Sequence, residues 1–124
     1  MTRVYLTVAE VLAIHKDQIE RFVGSPGVRD PGQLEAALFR PQTGYYEDVI
    51  GEAAAVWESL SQNHPFVDGN KRTAFAVMVT FLAVNGVMPT APEEAVMKFL
   101  LPLYERGTLT FDRLDVWLRT NARD

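Results

Sequence analysis

Apolar residues in this 124-residue chain recur every three or four positions in six successive stretches, which is the spacing of one buried helix face. Capping residues, glycines and prolines separate the stretches. The predicted helices run from Thr7 to about Phe22, from Asp30 to before Pro41, from about Asp48 to Gln62, from Gly69 or Asn70 to Asn85, from Thr90 to about Glu105, and from Thr110 onward. Strand signals are weak, and Arg3 to Tyr5 is the best candidate for a short extended piece.

The start and the end of the first helix carry recognisable signals. Thr7 followed by Glu10 makes a capping box, in which each residue satisfies a backbone N–H of the first turn. Leu6 and Val11 stand where a hydrophobic staple forms across the same boundary. Gly24 is the expected stop signal, since glycine adopts the left-handed conformation that ends many helices.

The fourth helix is the most apolar one. Between Ala74 and Val84 its only polar residue is Thr80, so no face of it suits water and it should lie at the centre. Pro102 should kink the fifth helix or end it early, because proline cannot complete the helical hydrogen bonding. The pattern predicts an all-α fold, a single domain over residues 1–124 with about six helices around a buried central helix.

Composition and charge narrow the function classes. Hydrophobic residues make up 48% and charged residues 23% of the chain, as in ordinary soluble globular proteins. A net charge of -4 argues against general affinity for nucleic-acid backbone, which needs a broad basic face. The absence of cysteine excludes disulfides, thiolate metal sites and a cysteine nucleophile. No stretch has the pattern of a signal peptide or the roughly 20 apolar residues of a membrane span, so a cytoplasmic location is expected.

Residues 63–73, NHPFVDGNKRT, place unusual chemistry at the start of the apolar fourth helix. A helix N-terminus exposes unpaired N–H groups and about half a positive charge, so the adjacent cations Lys71 and Arg72 are unfavourable there by about 0.3–1 kcal/mol each. Gly69 would let a ligand approach the backbone closely. Cations at the positive end of a helix are explained if an anion such as phosphate binds there.

Two more residues complete a set suited to the transfer of a phosphate group. Asp68 offers a hard carboxylate ligand for Mg²⁺ that bridges phosphate oxygens. His64 supplies an imidazole, which can take a proton from a hydroxyl nucleophile near neutral pH. Phosphate transfer depends mainly on positioning and charge neutralisation, so a base, a metal ligand and an anion site within nine residues indicate this chemistry.

The same residues also have ordinary structural interpretations. A single histidine ahead of a helix and the turn sequence DGN are both common where there is no site. Lys71 and Arg72 could be solvated or could pair with Glu47 or Asp48. Only the combination of these residues within one short stretch favours a functional site over these interpretations.

Other templates do not fit. The glycine spacing and strand of a P-loop are missing before Lys71. His15, the other histidine, stands too far along the chain from the motif for a zinc spacing and is interpreted as structural. Residues 24–27, GSPG, resemble a nucleophile elbow only superficially. Tyr45 and Tyr46 could line a substrate path, although packing or turn roles are favoured.

The stretch from His64 to Arg72, HPFVDGNKR, resembles the Fic signature H-x-F-x-(D/E)-G-N-(G/K)-R in the lysine form typical of Doc (death-on-curing) toxins. The N-terminal helix, residues 24–38 (GSPGVRDPGQLEAAL) and residues 81–87 (FLAVNGV) also resemble that family. The resemblance thus covers essentially the whole chain. It implies the compact Fic fold, with the motif between two central helices, and the role of toxin in a toxin–antitoxin pair.

The resemblance also implies a role for each motif residue. His64 would be the base acting on the target hydroxyl, and Asp68 would be the Mg²⁺ ligand. The phosphates of ATP would be held by Gly69, Asn70, Lys71 and Arg72. Doc toxins phosphorylate a threonine of elongation factor Tu and arrest translation, and a Phd-like antitoxin inhibits them through a disordered tail that folds into a groove. The same activity, target and partner are expected here.

Relatives with a glycine in place of the motif lysine usually transfer AMP, and this chain departs from their pattern at two positions. Lys71 adds charge and bulk where the α- and β-phosphates would lie, and Phe75 stands where those enzymes carry a second arginine. Both departures favour a nucleotide that presents its γ-phosphate. Gln62 departs from the Doc pattern, which has a basic residue there. AMP transfer to a protein hydroxyl stays an alternative, as does a non-catalytic protein that binds nucleotide or a partner.

Overall fold

The computed structural model describes residues 2–123, apart from the side chain of Glu93. Met1 and Asp124 of the predicted domain, and any capping role of the Glu93 side chain, lie outside the described residues. The elements in chain order are α1 (Val8–Phe22), α2 (Pro31–Phe39), a 3₁₀ turn (Arg40–Gln42), α3 (Val49–Asn63), α4 (Asn70–Val84), β1 (Met88–Pro89), α5 (Glu93–Arg106), α6 (Phe111–Asn121) and β2 (Ala122–Arg123). The prediction of an all-α fold with six α-helices is confirmed within this range.

Helices α3 and α4 pack along each other and form the centre of the fold. Ala53, Ala54 and Ala55 are fully buried on α3, and such small residues let neighbouring helices approach from several sides. Trp57 is also fully buried. Helices α2 and α6 cover the other sides of α3, and α1 packs on α4. The predicted central helix α4 therefore shares that place with α3, which is buried along most of its length.

Side-chain caps set most helix starts where the sequence placed them. The capping box of Thr7 and Glu10 is present, and the side chains of Asp30, Asp48 and Thr110 each accept a hydrogen bond from the third residue of their helix. These caps satisfy N–H groups that have no partner inside the helix. The end of α1 differs from the prediction, because its left-handed residue is Val23 and not Gly24.

Two further predictions about local structure are wrong. Arg3 to Tyr5 forms no strand, because the Asn85 side chain takes both hydrogen-bonding groups of the Val4 backbone: Nδ2 donates to the carbonyl at 2.8 Å, and Oδ1 accepts from the N–H at 2.9 Å. The described strands are instead β1 and β2, which pair antiparallel with Met88 opposite Arg123.

The second wrong prediction is one of the two alternatives for Pro102, that it ends the fifth helix early, while the other, that it kinks the helix, stays a prediction. Helix α5 runs through this proline to Arg106. Leu100 and Leu103 on either side of it are both buried, and this packing outweighs the lost backbone hydrogen bond. None of the described helices is both long and apolar enough to cross a lipid bilayer.

Asp48 connects the start of α3 to α6. Its Oδ1 accepts from the Gly51 N–H at 3.0 Å, and both carboxylate oxygens accept from the Arg119 guanidinium, at 2.8 and 3.0 Å. The guanidinium of Arg119 lowers the pKa of the Asp48 carboxyl, with a further contribution from the Gly51 N–H. The stabilisation is complete above the ordinary carboxyl pKa of 3.8 and is lost as pH falls through the lower folded-state value.

We expect Asp48→Asn to lower the free energy of unfolding by up to about 1 kcal/mol at pH 7, because the amide keeps the helix cap and loses only the exposed ion pair. Urea unfolding at pH 7 and pH 3 measures this difference, which should shrink at the lower pH. Asp17→Asn, which removes a more exposed pair with Arg21 on one helix, is the control and should have little effect. An equal difference at both pH values would contradict the assignment.

Candidate active site

All six residues that the sequence assigned to the site line a single cavity of about 750 Å³. The cavity lies between the end of α1, the loop that joins α3 to α4, the first turn of α4, and α5. The motif side of its wall consists of His64, Val67, Asp68, Gly69, Asn70, Lys71, Arg72 and Phe75. The tip of α4 is therefore open to a cavity large enough for a small ligand and is not covered by protein.

His64 is the residue that ends α3, and its backbone has the left-handed conformation, with φ 48°. That conformation is uncommon for residues other than glycine. Arg29 holds it from the neighbouring loop: Nε donates to the His64 carbonyl at 2.7 Å, and Nη2 donates to the Asn63 carbonyl at 2.9 Å. The guanidinium satisfies carbonyls that a helix C-terminus leaves unpaired and lies at the negative end of its dipole.

The rest of the motif loop is joined to the segment 24–30 through backbone hydrogen bonds. The N–H groups of Arg29 and Asp30 donate to the Pro65 carbonyl at 2.7 and 3.0 Å, and the Val67 N–H donates to the Gly27 carbonyl at 3.0 Å. A β-bridge between Val28 and residue 66 lies among them. The loop between the two central helices is thereby held as part of a two-stranded arrangement.

Asp68 lies exposed at the rim of the cavity with its carboxylate already oriented. Oδ2 accepts from the Ser25 N–H at 3.0 Å, and Oδ1 accepts from the Gly69 N–H at 2.8 Å. These two backbone donors, Ser25 first, lower the pKa of Asp68, and the charge of Arg72 adds to them. The carboxylate is therefore ionised at neutral pH and keeps lone pairs that can reach a cation.

His15 on α1 contacts the motif through its buried ring. Its ring is buried and stacks on the Phe66 ring at 3.8 Å between centroids, with 6° between the planes. Its Nε2 lies 2.9 Å from the Asp68 carbonyl oxygen. Since a carbonyl can only accept, Nε2 carries the proton and donates. The prediction that His15 is structural is confirmed. Its ring holds two residues of the motif, Phe66 and Asp68, in place.

Asn70 binds the motif loop through its side chain and begins α4 with its backbone. Its Oδ1 accepts from the Phe66 N–H at 2.9 Å, and its Nδ2 donates to the Phe66 carbonyl at 3.0 Å. Gly69 precedes it in the left-handed conformation, φ 73°, and offers no side-chain cap. Within residues 2–123, the N–H groups of Asn70, Lys71 and Arg72 have no protein acceptor, so the start of α4 has donors available for an anion.

Lys71 and Arg72 are exposed cations that line the cavity and contact aromatic rings. The Lys71 ammonium lies 4.3 Å from the centre of the Tyr104 ring, and the Arg72 guanidinium lies 4.2 Å from the centre of the Phe22 ring. The alternative in which they pair with Glu47 or Asp48 does not hold. Asp48 binds Arg119, and neither Lys71 nor Arg72 has an ion pair within the part of the chain described.

Several cavity residues and supports were not identified from the sequence. The far wall is an apolar face of α5, where no motif marks the positions: Val96, Met97, Leu100, Leu101, Tyr104 and Glu105. Phe22, Ser25 and Arg29 act from the α1–α2 segment. That segment includes residues 24–30, GSPGVRD, which resemble the family pattern, but no signal in the sequence indicated that they contact the motif.

Three other residues considered from the sequence lie away from the cavity. The Gln62 side chain donates to the Leu109 carbonyl at 2.7 Å and does not line the cavity. Tyr46 accepts a hydrogen bond from Arg40 and contacts Tyr45 edge to face. Neither tyrosine lines the cavity. The packing role fits Tyr46, whereas Tyr45 is 81% exposed in the turn ahead of α3.

Comparisons with known proteins identify the family of this chain. The family model described as the Fic/DOC family matches residues 5–82, a range that contains the motif and every support described above except α5. This chain belongs to the Fic/DOC family. Two curated members are similar to it. Toxin Doc of Mycolicibacterium smegmatis is 51% identical over 75 residues, which are 56% of this chain and 58% of that protein.

The second relative is Protein kinase doc of Escherichia phage P1. It is 37% identical over 87 residues, which are 67% of this chain and 69% of that protein. The aligned part thus covers somewhat over half of the first relative and about two thirds of the second. The names of those two proteins describe them as a toxin and as a protein kinase.

Magnesium is the metal that the family resemblance implies, and the site suits it. Among the described residues, no three or more acidic, histidine or cysteine side chains lie close enough together to hold a metal ion by themselves. Mg²⁺ rarely needs such an enclosure, because it keeps several waters and takes one or two carboxylates together with substrate phosphates. The exposed, ionised carboxylate of Asp68 beside the start of α4 would provide that single protein ligand.

We expect Arg29→Ala to lower the free energy of unfolding by about 1–3 kcal/mol, because two charge-assisted hydrogen bonds to the end of α3 are lost. Urea unfolding measures this loss. Arg21→Ala is the matched control: it removes an exposed arginine that pairs only with Asp17 on the same helix and should change stability by about 0.5 kcal/mol or less. Equal losses in the two variants would contradict the role given to Arg29.

We expect Gly24→Ala to displace the Asp68 carboxylate. A Cβ at position 24 would lie 2.9 Å from Asp68 Oδ2 and 2.7 Å from Ile19 Cδ1, so the variant should lose about 1–3 kcal/mol through overpacking. At Gly32 the nearest atom to a new Cβ is 3.4 Å away. Gly32→Ala should therefore be neutral or stabilising within a helix. Thermal unfolding of both variants tests the contrast, and a neutral Gly24→Ala would refute it.

Proposed function

We propose that this protein is the toxin of a toxin–antitoxin pair and acts as an ATP-dependent protein kinase on a threonine hydroxyl of a translation factor. One observation carries the proposal: a single cavity brings together an accessible imidazole, an ionised carboxylate and a helix N-terminus that bears two cations without carboxylate partners. Phosphoryl transfer needs a base, charge neutralisation and positioning, and these groups supply each of them. The relatives named as a toxin and as a protein kinase support the same class of function.

The start of α4 would bind the triphosphate of ATP. The N–H groups of Asn70, Lys71 and Arg72 point out of the first turn, where the helix dipole favours negative charge. The Lys71 and Arg72 side chains add two full positive charges at the same end. Gly69 supplies the left-handed turn ahead of the helix, and its lack of a side chain leaves room for Ile19 and not for the ligand, since a Cβ there would lie 3.0 Å from Ile19 Cδ1.

His64 would act as the general base. Its imidazole takes the proton of the target hydroxyl while that oxygen forms a bond to the γ-phosphorus. The bond between the γ-phosphorus and the oxygen bridging to the β-phosphate breaks, and ADP leaves with that electron pair. The products are a phosphorylated side chain, ADP and a proton on His64, which is later released to water.

Asp68 would hold Mg²⁺. When bound, the ion neutralises phosphate charge and orients the phosphate chain. The protein's part is to keep the carboxylate ionised and aimed at the cavity, which the Ser25 and Gly69 N–H groups do. Asp68 also keeps the His15-supported backbone turn in place through its own carbonyl.

The position of the nucleotide decides between phosphoryl transfer and AMP transfer. Lys71 occupies the position of a glycine in AMP-transferring relatives, and Phe75, which lines the cavity, occupies the position of an arginine that would hold the distal phosphates. A cavity without that second arginine favours the γ-phosphate at His64. AMP transfer is the second candidate, and the experiment below separates the two.

Target and partner follow from the resemblance to Doc toxins. We propose elongation factor Tu as the target and a Phd-like antitoxin as the inhibitor, with a disordered tail that folds into a groove on this protein. The expected location is the cytoplasm, where such a target is found. The chain's net charge of -4 gives no support to direct binding of nucleic acid.

Incubation of the protein and Mg²⁺ with elongation factor Tu and ATP labelled at either the α- or the γ-phosphate tests the function. We expect label to reach the factor only from the γ-position. His64→Asn should reduce the rate about 10²–10⁴-fold through the loss of proton transfer. This variant is suited to the test because asparagine tolerates the left-handed backbone of residue 64.

Each other outcome changes the conclusion. Transfer of α-label alone would replace the kinase by an AMP transferase. The absence of transfer from either position, together with toxicity in cells that His64→Asn leaves unchanged, would favour a protein that acts by binding alone. Lys16→Ala, on the exposed side of α1, serves as the surface control and should keep full activity.

A further inference from the structure

The two cations of the site differ in their partners from the four arginines that form ion pairs among the described residues. Carboxylates within ion-pair distance neutralise Arg3, Arg21, Arg40 and Arg119. Lys71 and Arg72 lie instead over the aromatic rings of Tyr104 and Phe22. A carboxylate would cancel the charge that an anionic ligand needs, whereas an aromatic face attracts a cation and leaves its net charge in place.

From this contrast we infer that Phe22 and Tyr104 are positioning residues, which hold Arg72 and Lys71 in the cavity, ordered and without a carboxylate of the described residues in ion-pair contact, for a polyphosphate. The inference rests on the proposed phosphate-binding role of the cavity and adds the means by which its cations are oriented. Both rings line the same cavity as the cations they hold.

The two cations can bind an anion while they remain in contact with their rings. A guanidinium that rests on a ring through its face keeps its N–H edge free to donate to a phosphate. An ammonium has three donors, and a ring occupies only one side of it. The cations can therefore bind an anion without leaving the rings, and the flexible side chains lose less freedom when they do so.

Tyr104 acts through its ring and not as an anion. Burial raises the pKa of the Tyr104 phenol, so the group stays protonated at neutral pH. Its hydroxyl lies 3.4 Å from Ser61 Oγ, on the side towards α3. Glu105 also lines the cavity and forms no ion pair with either cation among the residues described, so the rings remain the partners of both.

Isothermal titration with inorganic tripolyphosphate in the presence of Mg²⁺ tests the inference without requiring catalysis. Phe22→Leu should raise the dissociation constant about 2- to 10-fold, the range expected when an immobilised side chain regains its freedom. Phe22→Trp should restore binding because it restores a ring face. Phe39→Leu is the matched control: Phe39 is 63% exposed, Phe22 is 50% exposed, and Phe39 lies outside the cavity.

Variants of Tyr104 test the inference independently in the same titration. Tyr104→Phe keeps the ring and should bind tripolyphosphate as the unmodified protein does, whereas Tyr104→Leu should weaken binding to a similar extent as Phe22→Leu. A ring that merely supported the fold would show its effect in thermal unfolding, without this dependence on aromatic character.

Several results would overturn the inference. They are an unchanged or tighter dissociation constant in both leucine variants, an equal loss in Phe39→Leu, failure of Phe22→Trp to restore binding, and no binding of tripolyphosphate by the unmodified protein. Ring-dependent binding in a protein that transfers no γ-phosphate would leave the inference standing and refute the kinase proposal instead.

Discussion

The site depends above all on the pairing between two loops, the segment 24–30 and the residues that join α3 to α4. A helix that ends at Asn63 and another that begins at Asn70 leave unpaired carbonyls on one side and unpaired N–H groups on the other. The carbonyls are satisfied by the Arg29 guanidinium, while the N–H groups face the cavity. This asymmetry makes one helix end structural and the other available to a ligand.

Most polar groups of the motif have two functions. Asp68 orders its own turn through two backbone donors and presents a carboxylate to the cavity. Asn70 binds Phe66 through its side chain and contributes a free N–H to the first turn of α4. A short stretch can therefore carry many polar groups and still be well ordered, because a residue can hold the loop and keep lone pairs or an N–H group for a ligand.

The sequence predicted those secondary-structure elements whose ends are set by residues close together in the chain. Caps at Thr7, Asp30, Asp48 and Thr110 placed four helix starts, because capping depends on residues only three positions apart. The candidate site was found from a local effect as well: Lys71 and Arg72 stand at the positive end of the helix dipole, where cations are unfavourable without an anion. Errors arose where distant residues compete with local preference. The Asn85 side chain takes the backbone of Val4, and buried leucines carry α5 through Pro102.

Local chemistry alone was thus enough to indicate six helices, the position of the motif and the charge it presents to a ligand. It could not indicate that Arg29 caps α3, that His15 supports Asp68, or that α5 forms the far wall with Tyr104 over Lys71. These contacts join residues more than 30 positions apart, and no period or spacing along a single chain records which distant side chains meet. They are decided by how the helices pack, since packing brings α1 and α5 to the same cavity as the α4 N-terminus.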